Sequence, residues 1–195
     1  MKHTDGAGLK VEEFAKQITP NVNMNGLALP ADEKKLLCDI IYHTREKLKV
    51  YEDQGFAEKN DGGLRLTVLF LGDSRTGKIM AAEVLANELK LDLFKVDLSA
   101  VVSKYIGETE KVLQRLFDEC AALSTILFFD EADALFGKRT EVKESHDRYS
   151  NVPIDHILER IEAHQGLAIL STNMKNSKDS AFGRRIRFVV TFSSP

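Results

Sequence analysis

From Gly63 onward, the chain alternates short apolar runs with stretches in which apolar residues recur every three or four positions. Short apolar runs are typical of strands buried on both faces, and the longer spacing is typical of helices that bury one side. The pattern predicts five strands at 65–71, 91–96, 125–130, 166–171 and 187–192, separated by helices at 78–90, 108–123 and about 152–164. Such alternation favours an α/β fold of three layers, αβα, with five mainly parallel strands.

The first fifty residues follow a different pattern. A short amphipathic piece covers 11–18, an Asn-, Gly- and Pro-rich stretch indicates a linker, and apolar residues at helical spacing predict a long helix from Ala31 to about Tyr51. We therefore divide the chain into an N-terminal helical segment with linker, residues 1–50, and a core of residues 51–195. The pattern does not indicate a role for the N-terminal segment.

Charge and hydropathy narrow the function classes. The net charge of -3 and the pI near 6.0 provide no general attraction to nucleic acid, so we expect no nucleic-acid partner. No stretch approaches the roughly 20 apolar residues of a membrane span, and the first ten residues lack the apolar core of a signal peptide. We expect a cytoplasmic protein without a membrane partner.

A glycine-rich turn after the first predicted strand carries candidate chemistry. Residues 72–78, GDSRTGK, match the pattern GxxxxGK and precede a predicted helix, so backbone N–H groups and the helix N-terminus can face phosphate groups. Lys78 would meet the β- and γ-phosphates of a nucleotide. The candidate binding residues are Gly72, Asp73, Ser74, Arg75, Thr76, Gly77, Lys78 and Ile79. A plain glycine turn between strand and helix is the alternative.

Three residues of this loop weaken it as a phosphate-binding site. Ile79 stands where a hydroxyl group normally binds Mg²⁺, and Asp73 places a negative charge beside the phosphates. Arg75 introduces strain if its position requires a positive φ. Because water can replace a lost Mg²⁺ ligand, we expect hydrolysis to fall more than nucleotide binding.

A second motif, ILFFDEAD at 126–133, ends a predicted buried strand in two acidic residues. Asp130 is placed to hold Mg²⁺ through water, and Glu131 is placed to polarise an attacking water. Alternatively, the acidic residues only favour the N-terminus of a following helix.

Over about residues 50–195 the chain resembles the AAA+ ATPase core, in the AAA subgroup found in many bacterial proteins. The segments DLSAVVSKYIGETEKVLQRLFDE and ILFFDEADALFGKR carry this resemblance. It implies a P-loop αβα sandwich with strand order 5-1-4-3-2, and it implies ATP and Mg²⁺ as cofactors. The implied activity is ATP hydrolysis that remodels a polypeptide client within a homo- or hetero-oligomeric ring.

The resemblance also assigns further residues. Asn173 would be the sensor that orients water beside the γ-phosphate. Arg184 and Arg185 would be arginine fingers that reach a nucleotide held by the neighbouring subunit. Tyr105 and Ile106 would form a pore loop that grips the client. From the residues alone, an exposed basic pair and a locally packed aromatic side chain remain open alternatives.

Family members continue into a helical lid, whereas this sequence stops at VVTFSSP, so we expect either a fragment or a lid supplied by a partner. Three functions remain open: an ATPase, a catalytically degenerate nucleotide-binding or scaffold module, and an interaction protein that binds no nucleotide.

Overall fold

A six-stranded sheet, parallel except at one edge, forms the centre of the protein. The computed structural model describes residues 15–53, 64–98, 101, 109–120, 125–136, 154–175, 177 and 183–193. The strands are β1 Ala15–Ile18, β2 Leu66–Gly72, β3 Asp92–Asp97, β4 Thr125–Asp130, β5 Leu167–Thr172 and β6 Phe188–Phe192. The helices are α1 Ala31–Asp53, α2 Lys78–Leu89, α3 Thr109–Glu119 and α4 Ile154–Ala163. None of the helices within these ranges is long and apolar enough to cross a bilayer.

The five strands predicted from the sequence lie in the predicted order. The sheet runs β1-β3-β4-β5-β2-β6, and its last five strands correspond to the order 5-1-4-3-2 read backwards. The α/β fold class is therefore confirmed.

The sheet has one strand more than the five predicted from the sequence, and this strand lies in the N-terminal segment. Residues Ala15–Ile18 form β1, which pairs antiparallel with the edge of β3. Ala15 is buried there, and Ile18 packs against the core, while Lys16 and Gln17 are exposed. A strand of four residues shows too little alternation to be recognised in the sequence, and it forms because it covers an otherwise open strand edge.

Two hydrophobic cores lie on opposite faces of the sheet. One core packs α1 and α2 against alternate residues of the strands, such as Val68, Phe70 and Phe128. The other packs α3 and α4 against the intervening residues, such as Leu69 and Phe129. Because β2, β4 and β5 are covered on both faces, their side chains are almost wholly apolar until the strands end.

The parallel register brings four strand ends together. Leu71 pairs with Thr172, and Asp97 pairs with Asp130, so the carboxyl ends of β2, β5, β3 and β4 lie along one edge of the sheet. In open α/β sheets this edge is where ligands bind. Polar residues begin at this edge, and the candidate site is built there.

Candidate functional site

The loop between β2 and α2 is shaped by a glycine at each end. Gly72 has φ 152°, and a Cβ atom on it would lie 2.2 Å from the backbone oxygen of Phe192 on β6. Gly77 has φ 91° and directly precedes Lys78, the first residue of α2. Both conformations favour glycine, so these two residues set the path by which the chain turns into the helix.

Lys78 is buried within this loop. It is only 9% exposed, and its Nζ atom donates to the backbone oxygens of Gly72 at 2.5 Å and Asp73 at 2.7 Å. Burial lowers the pKa of Lys78, and the negative charges of Asp130 and Asp133 partly oppose that shift. The helix N-terminus and a desolvated ammonium group together favour an anionic group at this position.

Arg75 has the positive φ for which the sequence predicts strain. Arg75 has φ 67°, which is a left-handed conformation that costs a non-glycine residue about 1–2 kcal/mol. The exposed side chains of Asp73, Ser74 and Arg75 face solvent, whereas Thr76 Oγ1 donates to the Asp73 backbone oxygen at 2.7 Å. The loop therefore keeps a defined shape in spite of the arginine.

The acidic motif follows β4 and lies at the same edge as the loop. Asp130 Oδ1 accepts from Ser171 Oγ at 3.2 Å and from the backbone N–H of Glu131 at 3.1 Å, and Oδ2 lies 2.7 Å from Lys95 Nζ. Glu131 is exposed and has φ 52°, a left-handed conformation, immediately before a short 3₁₀ helix at Ala132–Leu135. Backbone strain of this kind is concentrated at functional sites.

Two residues of the site were missed by the sequence analysis. Asp133 Oδ1 accepts from the Thr172 hydroxyl and from the backbone N–H of Asn173 at 3.1 Å, so it fixes the end of β5 and the backbone of the candidate sensor. Lys95 pairs with Asp130 from the neighbouring strand. Asp133 belongs to the motif at 126–133 and could have been found from the sequence, whereas the contact of Lys95 depends on the register of β3 against β4.

The two arginines lie far from Lys78. Arg184 and Arg185 are exposed in a 3₁₀ turn just before β6, and Arg185 Nη1 pairs with Glu162 Oε1 at 3.3 Å. This turn adjoins the start of β2, whereas the phosphate loop follows its seventh residue. A strand of that length spans roughly 20 Å, so these side chains cannot reach a phosphate group held by Lys78 in the same chain.

Arg185 instead lines a cavity of about 250 Å³ at the opposite end of the strands. Other cationic residues of its wall are Lys47, Arg65 and Arg187. The candidate pore-loop residues Tyr105 and Ile106 lie outside the described residues.

The residues present do not fit the Mg²⁺ ion that the resemblance implies. Ile79 offers no oxygen, and its side chain packs against the core formed by α1 and α2. Both carboxylate oxygens of Asp130 already have partners, one of which is the ammonium group of Lys95. An ammonium group competes with a divalent cation for the same carboxylate. Neither Ile79 nor Asp130 is therefore arranged to hold the metal.

The parallel αβα sandwich and the glycine-framed loop with a buried lysine at a helix N-terminus define a P-loop NTPase fold. Within that class, the chain belongs to the ATPase family associated with various cellular activities (AAA), whose sequence pattern matches residues 68–194.

Curated relatives agree with this assignment. The chain is 31% identical over 185 residues to an uncharacterised AAA family ATPase, y4kL, from Sinorhizobium fredii, and the match covers 94% of this chain and 53% of the relative. It is 38% identical over 119 residues to the ATPase family gene 2 protein of Schizosaccharomyces pombe, with 60% of this chain and 15% of the relative covered. The chain thus spans about half of the first relative and less of the second.

Among solved structures, the FIGL-1 AAA domain in complex with ADP superposes with a TM-score of 0.67 at 22% identity, over 94% of this chain and 59% of that one. A similarity at this level of identity supports the fold.

Proposed function

We propose that this chain binds the phosphate groups of ATP or ADP in the loop from Gly72 to Ile79. The observation that carries the proposal is the position of Lys78, whose buried ammonium group lies at the N-terminus of α2 and donates to two loop carbonyl oxygens. These weak neutral acceptors can be exchanged for phosphate oxygens, which form stronger charge-assisted hydrogen bonds. Membership of the AAA family supports a nucleotide as the source of those phosphates.

The acidic edge supports hydrolysis as the second part of the proposal. Glu131 is the base that polarises water, and Asn173 orients it, because Asp133 fixes the Asn173 backbone beside the end of β4. Arg184 and Arg185 act on a nucleotide bound by a neighbouring subunit, since the length of β2 separates them from Lys78 in their own chain. In this proposal the assembly is a ring that uses ATP to remodel a polypeptide client, gripped by Tyr105 and Ile106.

A nucleotide-binding module without turnover is the second candidate. The contact between Lys95 and Asp130 and the apolar side chain of Ile79 both favour it, because each removes a feature that hydrolysis normally requires.

A thermal-shift measurement tests nucleotide binding directly. With ADP at about ten times its Kd, binding stabilises the folded chain by about 1.4 kcal/mol, which raises Tm by about 3–6 °C for a protein of this size. AMP serves as the control, because it lacks the β-phosphate that Lys78 would contact, and we expect a smaller shift. If neither ADP nor ATP shifts Tm at millimolar concentration, the chain is an interaction protein that binds no nucleotide.

Steady-state phosphate release separates the two candidates. We expect slow hydrolysis by the unmodified chain, an increase of about tenfold in Ile79→Thr, and no hydrolysis in Glu131→Gln. Ile79→Val is the matched control, because valine has the shape of threonine without the hydroxyl group. Activity that survives Glu131→Gln would contradict the role of Glu131, and inactivity of every variant would favour the module without turnover.

A further inference from the structure

The ion pair between Lys95 and Asp130 changes the charge at the acidic edge. Lys95 lies on β3 beside β4, and its Nζ atom is 2.7 Å from Asp130 Oδ2. The opposite oxygen of Asp130 accepts from Ser171 and from the backbone of Glu131. The side chains of Lys95 and Asp130 are only 38% and 30% exposed, so solvent screens this pair less than a pair on the open surface.

Ile79 lies at the second position that would hold a divalent cation. Its side chain carries no oxygen and packs with the core on the α1 and α2 face. Of the two positions that would hold a divalent cation, position 79 therefore has no ligand atom, and Asp130 already has a cationic partner.

These changes affect how phosphate groups would be neutralised. Asp130 ends β4 at the same edge of the sheet as the loop that carries Lys78, and its negative charge partly opposes the lowering of the Lys78 pKa by burial. A phosphate group bound by Lys78 would therefore also lie near the Asp130 carboxylate. Two neighbouring anions repel each other unless a cation lies near both. Lys95 supplies that positive charge. Lys16 lies directly opposite Lys95 on β1, and two cations in such a pair are unfavourable unless an anion lies nearby.

We propose that this chain binds nucleotide without a divalent cation, with Lys95 compensating the charge of Asp130. This inference rests on the proposed nucleotide binding and concerns the same site. Binding then requires no metal, because the positive charge of Lys95 offsets the negative charge of Asp130 near the phosphate groups.

Titration with a fluorescent N-methylanthraniloyl derivative of ADP, once with excess MgCl₂ and once with EDTA, tests the proposal. We expect the two Kd values of the unmodified chain to agree within about threefold. Binding that is at least about tenfold tighter with MgCl₂ than with EDTA would overturn metal independence while preserving nucleotide binding. Absence of binding under both conditions would overturn the proposed function and this inference together.

Variants of Lys95 and Ile79 identify the cause. Lys95→Met should weaken binding in EDTA about tenfold, because Asp130 then faces the phosphates uncompensated, whereas Lys95→Arg should retain the affinity. The double variant Ile79→Thr with Lys95→Met should bind about tenfold more tightly with MgCl₂ than with EDTA. Its matched control, Ile79→Val with Lys95→Met, lacks the hydroxyl group and should not gain this dependence. Equal affinity of Lys95→Met and the unmodified chain in EDTA would contradict the role of Lys95.

Discussion

Replacement of Lys78 by methionine is expected to weaken ADP and ATP binding about 100-fold. The ammonium group would exchange its two hydrogen bonds to loop carbonyl oxygens for one charge-assisted hydrogen bond to each of two phosphate groups, and the stronger bonds contribute about 1.5–3 kcal/mol each before this exchange is subtracted. A loss of about 2.7 kcal/mol corresponds to this factor in Kd. Methionine keeps the apolar stem of the side chain, so the variant removes the charge with little change in packing. The Kd is measured by titration with the fluorescent ADP derivative.

The stability of Lys78→Met without nucleotide provides an internal check. Burial already opposes the charge of Lys78, so its removal should change the free energy of unfolding by less than about 1 kcal/mol. Lys35→Met, on the exposed side of α1, is the control for loss of a lysine and should leave Kd unchanged. An unchanged Kd in Lys78→Met would show that nucleotide binds elsewhere or that the loop does not contact its phosphates.

The central strands and their order could be predicted from the sequence because both faces of each strand are buried. The apolar run predicted at 125–130 is the observed span of β4, and β2 differs from its predicted range by one residue at each end. The loop could be predicted too, because a lysine after two spaced glycines at a strand-to-helix junction has few other uses. Local sequence and buried environment agree in this part of the chain.

Features that depend on tertiary pairing could not be predicted in the same way. The strand at Ala15–Ile18 exists because β3 offers an open edge, and its own four residues carry little information. The ion pair of Lys95 depends on the register of β3 against β4, which places Asp97 opposite Asp130. The distance of Arg185 from Lys78 likewise follows from the parallel pairing of β2 and β6. The ion pair sets the charge of the acidic edge. The distance of Arg185 means that only the arginine of a neighbouring subunit could reach a nucleotide at Lys78.

Gly72→Ala is expected to lower the free energy of unfolding by about 4 kcal/mol. A Cβ atom at this position would lie 2.2 Å from the backbone oxygen and 2.9 Å from the Cβ atom of Phe192. The obstacle is backbone, so β2 and β6 must separate at their ends, and overpacking of this kind costs about 1–3 kcal/mol. The φ of 152° adds strain of about 1–3 kcal/mol for a residue with a side chain. Urea denaturation measures the loss.

Gly77→Ala is the matched control, since it makes the same substitution at the other end of the loop. Gly77 also has a positive φ, 91°, but an added Cβ would meet no atom within 4 Å in the described part of the chain, apart from its own neighbours and helix backbone. Only the backbone conformation is strained, so we expect a loss of about 1–2 kcal/mol. The difference between the two variants isolates the approach of β2 to β6, which also fixes the Gly72 carbonyl that Lys78 contacts. Equal losses would show that the strand ends can separate freely and that this approach does not hold the loop in place.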